Sequence, residues 1–498
     1  MRCLWFCWLL ASGVAVAASE APLADAARRG DLAEIRRLIG QRANVNASQP
    51  DGTTALHWAA HQDNRDAAAA LVAAGANANA ANRYGVTPLA LACTNGSGPM
   101  VALLLEAGAD PNLAQPGGET ALMTASRSGS VDAVRALLKK GAQIKAKESR
   151  RGQTALVWAA AEGNVEVVEA LIEAGADFRE RMSSGFTPFL FAVREGQLGV
   201  VKALLKAGVD VNESFPSLGS GRRPTPGKAA PRPGTTALHL AVINGHFDLA
   251  AYLLDRGANP NADGPGYTPL HVVTWIRKPG GGDNDPAPIG SGTMTTLEFV
   301  KKMAKSGANL DARMTRRVGV GMTSLNTLGA TTFVLAARTG DAELMRTLAA
   351  LGADPLLPTA DGSTPLIVAA GLGTRSPGED AGTEEEVVQA VQAAIDLGND
   401  INAVDKNGET AMHGAAYKNL PAVVRLLAKR GANAAVWNQR NKQGWTPLTI
   451  AEGYRFGNYK PSPVTVAAFH EVMLAAGIPL QSEKPGTAGR NSNYVTVR

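Results

Sequence analysis

Histidine has the widest chemical repertoire of any residue type in this sequence, and its spacing decides what it can do. Among 7 His, four (His57, His239, His271 and His413) stand three residues after a threonine, and His246 directly follows a glycine. A zinc or iron centre needs ligands at fixed offsets, as in His-Glu-x-x-His. Neither of the two remaining histidines, His61 and His470, has a second His at such a spacing. The 3 Cys contain no Cys-x-x-Cys pair, and Cys93 falls where parallel stretches carry Ala60, Ala160 or Ala370, which points to a packed, inert thiol. Gly221 to Lys228 resembles a phosphate loop, but five residues separate its glycines where four are needed, and Ala229 replaces the magnesium-binding hydroxyl. Asp283-Asn284-Asp285 runs into Pro286 without the glycine or closing glutamate of a calcium loop. No Gly-x-Ser-x-Gly elbow is present. The sequence therefore predicts no catalytic residue, no metal and no cofactor.

The elements that hold these residues repeat. A Thr, then Pro or Ala, then Leu, often then His, recurs from Thr54, Thr87, Thr120, Thr154, Thr187, Thr236, Thr268, Thr331, Thr364, Thr410 and Thr446, with a degenerate copy from Ala21. Successive spacings are 33, 33, 33, 34, 33, 49, 32, 63, 33, 46 and 36. Thr is a good N-cap and Pro suits the first helical position, so the motif opens a helix. Glycines nine residues on, such as Gly30, Gly96, Gly129, Gly163, Gly196, Gly245 and Gly340, close it with positive φ. A second helix follows, with apolar stripes such as Val165, Val168, Leu171 and Ile172, or Val423, Leu426 and Leu427. It ends at a Gly-Ala step such as Gly75-Ala76 or Gly175-Ala176. Helices this short are unstable alone and must stack on neighbours.

In period and motif the sequence resembles the ankyrin-repeat family over nearly the whole chain beyond the N-terminus. The resemblance implies an all-α solenoid of about twelve helix-turn-helix repeats, joined by finger-like turns. It also implies that the repeated His ties the Thr turn to the backbone, and that binding falls to the fingers and the concave face.

Composition agrees with many small stacked helices: 45% of residues are hydrophobic but only 5% aromatic, with 54 Gly in 498 residues. Met1 to Ala18 has one Arg, an apolar run and small residues at its end, the pattern of a cleavable signal peptide. Its removal leaves Cys93 as a lone thiol and no later apolar run of spanning length. Residues 19–480 read as the solenoid, with Val464 to Ala476 as the last helix, and residues 481–498 as a polar disordered tail. Insertions fall at 213–233, 277–294, 313–329 and 371–386. A formal charge of +5 is too small on this length to argue for nucleic acid.

Candidate contact residues come from exposed slots of the repeat. The fingers supply Arg83, Tyr84, Arg150, Arg151, Phe186, Tyr267 and Trp445, types enriched in interface hot spots. The first helices supply Arg127, Arg194 and Trp275, while Trp58, Trp158 and Phe191 suit core and contact equally. The finger insertions add Arg222, Arg223, Arg316 and Arg317. By charge, 213–233 and 313–329 are basic, 277–294 is neutral, and 371–386 is acidic. Since fingers and inter-helix loops project from opposite edges, the two signs are expected on opposite edges. The sequence then reads as an exported, non-catalytic scaffold in the periplasm or outside the cell, binding a protein with an acidic surface. The insertions read equally as solvated loops. The alternatives are a structural tether on an anionic envelope polymer or lipid surface, and an enzyme built into the insertions.

Overall fold

Most threonines of the repeat start a helix because the side chain satisfies a backbone N–H that the first turn leaves unpaired. Thr87 Oγ1 accepts from Ala90 N at 3.2 Å, and Thr331 Oγ1 from Val334 N at 3.3 Å. The computed structural model describes residues 21–216, 231–279, 287–319, 323–455 and 461–480. The expected signal peptide, the expected tail, and Arg222, Arg223 and Lys228 lie outside them. Among the described residues there are 25 helices and no strand, only isolated bridges such as Thr323 with Thr374. The architecture is all-helical, as the repeat implies.

The helices come in pairs, for example Ala155–Glu162 with Val165–Glu173. The chain separates into two compact units: one runs to Ala192 and takes in Gly199–Gly208, the other comprises Val193–Leu198 and Val209 onward. Within each unit first helices stack on first helices and second on second, in chain order. The cores are narrow strips of Ala, Leu and Val.

All seven helix-closing glycines have positive φ, between 69° and 84°. In two repeats where the slot holds another residue the backbone turns the same way, with Asp63 at φ 51° and Asn419 at φ 59°. The second-helix stripes need one correction. Val167, Val168 and Leu171 are buried while Val165 and Ile172 are half-buried, and Val423, Val424 and Leu427 are buried while Leu426 is half-buried. These outer helices are covered along a strip too narrow to bury the whole apolar face. The last described helix is Pro463–Ala475.

One positioning device escapes the Thr-centred motif. An Asn four residues past the second glycine reaches the next repeat with both ends of its amide. Asn79 Nδ2 donates to Gly108 O at 2.9 Å, and its Oδ1 accepts from Asp110 N at 2.7 Å. Asn46, Asn112, Asn212 and Asn261 do the same. This ladder fixes the pitch between fingers without burying apolar surface.

Candidate functional site

The repeated histidines are structural. His57 Nδ1 accepts the Thr54 N–H at 3.2 Å, and Nε2 lies 3.0 Å from Val86 O of the next finger. A carbonyl there requires a proton on Nε2, so the imidazole is neutral and bridges two repeats. His239 and His271 repeat this with Tyr267 O and Ala330 O, and His413 caps Thr410. Burial drives His239, His271 and His413 down to about 4. His246 does a different job: Nε2 bonds Arg194 O at 3.0 Å, and Nδ1 accepts Ser291 N at 3.0 Å, which pins the 277–294 insertion. Cys93 is fully buried and its thiol is pushed up to about 12 by burial. Among the described residues no three His, Cys, Asp or Glu side chains converge to hold a metal.

The expected contact residues divide by burial. Tyr84 is 57% exposed, and Arg83 donates to its hydroxyl at 2.7 Å. Arg150 and Arg151 present their side chains outward, while their N–H groups, with that of Gln153, bond the buried Glu148 carboxylate. Burial works against that charge, but the three N–H groups hold Glu148 below the usual carboxylate range. Arg127 is exposed and stacks 4.7 Å from the half-buried Trp158 ring. Arg194 and Trp445 are half-buried, and Arg316 and Arg317 are exposed.

Phe186 and Tyr267 are corrections: placed at exposed tips by the sequence, both are 7% exposed. Phe186 packs 4.7 Å from Phe191, itself buried, and Tyr267 meets Trp275 edge-on at 4.8 Å. Phe186 and Tyr267, one residue before their Thr, fold under the turn, whereas Tyr84, three residues before its own, points out. Trp275 is half-buried through the same contact.

A second correction concerns the insertions in the second unit. Ser324 N donates to Gly373 O at 2.8 Å and Thr323 Oγ1 to the same carbonyl at 3.1 Å, so the 313–329 finger meets the 371–386 loop. The two do not keep to opposite edges because Gly371, at φ 114°, turns the loop inward against the helix Ala411–Lys418. Asp380 anchors it there. Its carboxylate takes Arg338 Nη2 at 2.7 Å and Thr374 Oγ1 at 2.9 Å, with Lys418 Nζ at 4.0 Å; both of its salt-bridge partners are almost fully buried.

Under this crossing lies a pocket of about 270 Å³. Two finger turns supply Asp361, Ser363, Asp405 and Glu409, a third supplies Gln443, and the insertions supply Arg317, Ser324 and Thr374. Ser363 Oγ donates to Asp405 Oδ2 at 2.8 Å, and Asn326 Nδ2 to Asp361 Oδ2 at 3.0 Å. Glu409 Oε1 accepts from Tyr417 OH at 3.0 Å and Asn441 Nδ2 at 2.9 Å. Burial pushes Glu409 up to about 8 against those two hydrogen bonds. Sequence reading missed this site, since acids one, three and five residues before a Thr look like ordinary finger polarity.

Family models for ankyrin repeats (3 copies) match residues 23–115, 145–214 and 381–459; ankyrin repeats (many copies) match 104–156; and an ankyrin repeat matches 234–264. The chain belongs to the ankyrin-repeat family. This ankyrin-repeat protein is 29% identical over 223 residues to B-cell lymphoma 3 protein homolog of Mus musculus, covering 44% of the chain and 40% of that relative. It is 33% identical over 222 residues to Neurogenic locus notch homolog protein 1 of Homo sapiens, covering 44% and 6%. SH3 and multiple ankyrin repeat domains protein 2 of Homo sapiens is 30% identical over 230 residues, covering 42% and 11%. The match thus spans well under half of each relative. Among the described residues no helix is long and apolar enough to cross a membrane.

Proposed function

We propose that this ankyrin-repeat protein is an exported, non-catalytic scaffold of the periplasm or extracellular space that binds another protein through its fingers. The observation that carries this reading is the Arg83–Tyr84 pair. An exposed tyrosine stiffened by its neighbouring guanidinium has no part in stacking the repeats, and such a residue is a typical interface anchor. Arg150 and Arg151 extend the same kind of tip two fingers further along the first unit. In the second unit Arg316 and Arg317 are exposed on a finger insertion, and with Arg222 and Arg223 they would steer an acidic partner surface. The signal-like N-terminus is the support for export.

Cross-linked affinity purification of the tagged chain from its native cells, at low and high salt, tests the reading. One stoichiometric protein that survives high salt, and is lost on Tyr84→Ala, supports it. Recovery of anionic polymer or lipid alone, washed off by salt, replaces the scaffold with a tether. Charge reversal at Arg222, Arg223, Arg316 and Arg317 that leaves partner affinity and its salt dependence unchanged removes the electrostatic part.

A further inference from the structure

The pocket beneath the crossed insertions in the second unit is built on purpose by the chain, not left over between repeats. Its roof is the contact of residues 323–325 with Gly373, and neither segment belongs to the 33-residue unit. A side chain at Gly373 would sit 2.7 Å from Leu325 N and 2.9 Å from Thr323 Oγ1, so the close approach needs the glycine. Its lining is rich in acceptors: three carboxylates, Asp361, Asp405 and Glu409, against one cation, Arg317.

A second observation points to an occupant. Glu409 is 6% exposed, and while Oε1 has two donors, Oε2 has none among the described residues. Gln443 Oε1, also on the pocket wall, is likewise buried without a donor among them. Buried polar atoms without a partner are costly and rare in native structures. Asp405 is already satisfied, its oxygens accepting from Asn407 N, Glu409 N and Ser363 Oγ, and as a carboxylate it has no donor to offer its neighbours.

We infer that the pocket receives a guanidinium or alkylammonium group, with Asp361, Glu409 and Gln443 as its acceptors. Such groups carry only donors, five on a guanidinium and three on an ammonium, which is the complement of this wall. Charge and shape select it further: the carboxylates do not converge as ligands of one metal ion would, and about 270 Å³ holds on the order of nine waters, room for a cationic side-chain head and its stem. A cation also favours the ionised form of Glu409, so each stabilises the other. The same head group reaches the pocket either on a free amine or on a partner's arginine or lysine. The inference goes beyond the scaffold reading and fails separately from it, since a partner bound through Tyr84 needs nothing in this pocket.

Calorimetric titration of the full chain with agmatine, with a capped Gly-Arg-Gly peptide, and with the capped Gly-citrulline-Gly peptide as the neutral isostere tests it. The cations are expected to bind and the citrulline peptide not. Asp361→Asn and Glu409→Gln are each expected to weaken the cation by about tenfold or more. Tighter agmatine identifies a free amine; a tighter peptide identifies a partner side chain. Asp361 is half-buried and holds only Asn326 in place, so D361N reports even where E409Q fails to fold. Failure of both cations to bind, equal binding of the citrulline peptide, or folded variants with unchanged affinity overturns the inference.

Discussion

At the scale of single residues, the same backbone conformation is met by different side chains, and this sets where stability is left unclaimed. Asp63 and Arg42 adopt φ 51° and 61° in slots where other repeats use glycine. Non-glycine residues are strained there. Asp63→Gly and Arg42→Gly are expected to raise stability by about 0.5 to 1 kcal/mol each, read as the shift in urea midpoint. Protonation gives a second residue-scale outcome. His239, His271 and His413 sit at about 4 when folded, against about 6.5 unfolded. Unfolding lets them bind protons, so their contribution is complete above pH 6.5 and is lost as pH falls toward 4. Glu409 acts oppositely: held at about 8 when folded and 4.5 unfolded, it favours the folded state at low pH and loses that contribution as pH rises through 8. A urea-midpoint profile is expected to peak near pH 6.5, and Glu409→Gln is expected to flatten its fall toward pH 8 and to steepen its rise below the peak, since the Glu409 contribution is lost across the whole window from 4.5 to 8.

At the scale of elements, the insertions are fastened by groups that the repeat itself does not carry. Asp380 neutralises Arg338 and faces Lys418, all three almost fully buried, and burial already lowers the Lys418 ammonium. Removing the carboxylate strands two cations. Asp380→Ala is expected to cost about 3 to 5 kcal/mol in chemical denaturation, because the penalty is that of uncompensated buried charge and not of one lost bond. Gly373→Val acts on the other fastening. It is expected to separate residues 323–325 from the 371–386 loop, seen as faster amide exchange at Ser324, while the helices Thr332–Arg338 and Ala411–Lys418 keep their protection. Unchanged exchange at Ser324 would mean that the bridge does not hold the roof.

At the scale of the whole molecule, stability is a sum of repeats and their interfaces, so damage stays local. Leu137 is fully buried in the helix Val131–Lys139, whose neighbours among the second helices are Gly98–Glu106 and Val165–Glu173. Leu137→Ala is expected to cost about 2 to 5 kcal/mol. Hydrogen exchange is expected to quicken in those two neighbours and not in Glu384–Asp396 of the second unit. A uniform acceleration across both units would instead mark the chain as one cooperative block.

The sequence alone determined the fold, because every structural slot of the repeat carries its own residue type: Thr to cap, Gly to turn left-handed, His to bridge. The Asn ladder was equally open to reading, recurring four residues past Gly75, Gly108, Gly208 and Gly257, but a Thr-centred search passes over it. Side-chain burial was less legible. Tyr84 and Tyr267 look alike in sequence, yet one is 57% and the other 7% exposed, since two positions along a tight turn reverse the direction of a side chain. The pocket was decided by tertiary structure only. Asp361, Glu409 and Gln443 come from three fingers, and the roof from two insertions of unrelated sequence. Their meeting depends on the inward turn at Gly371 and on the Asp380 anchor, pairings between distant residues that no local pattern encodes.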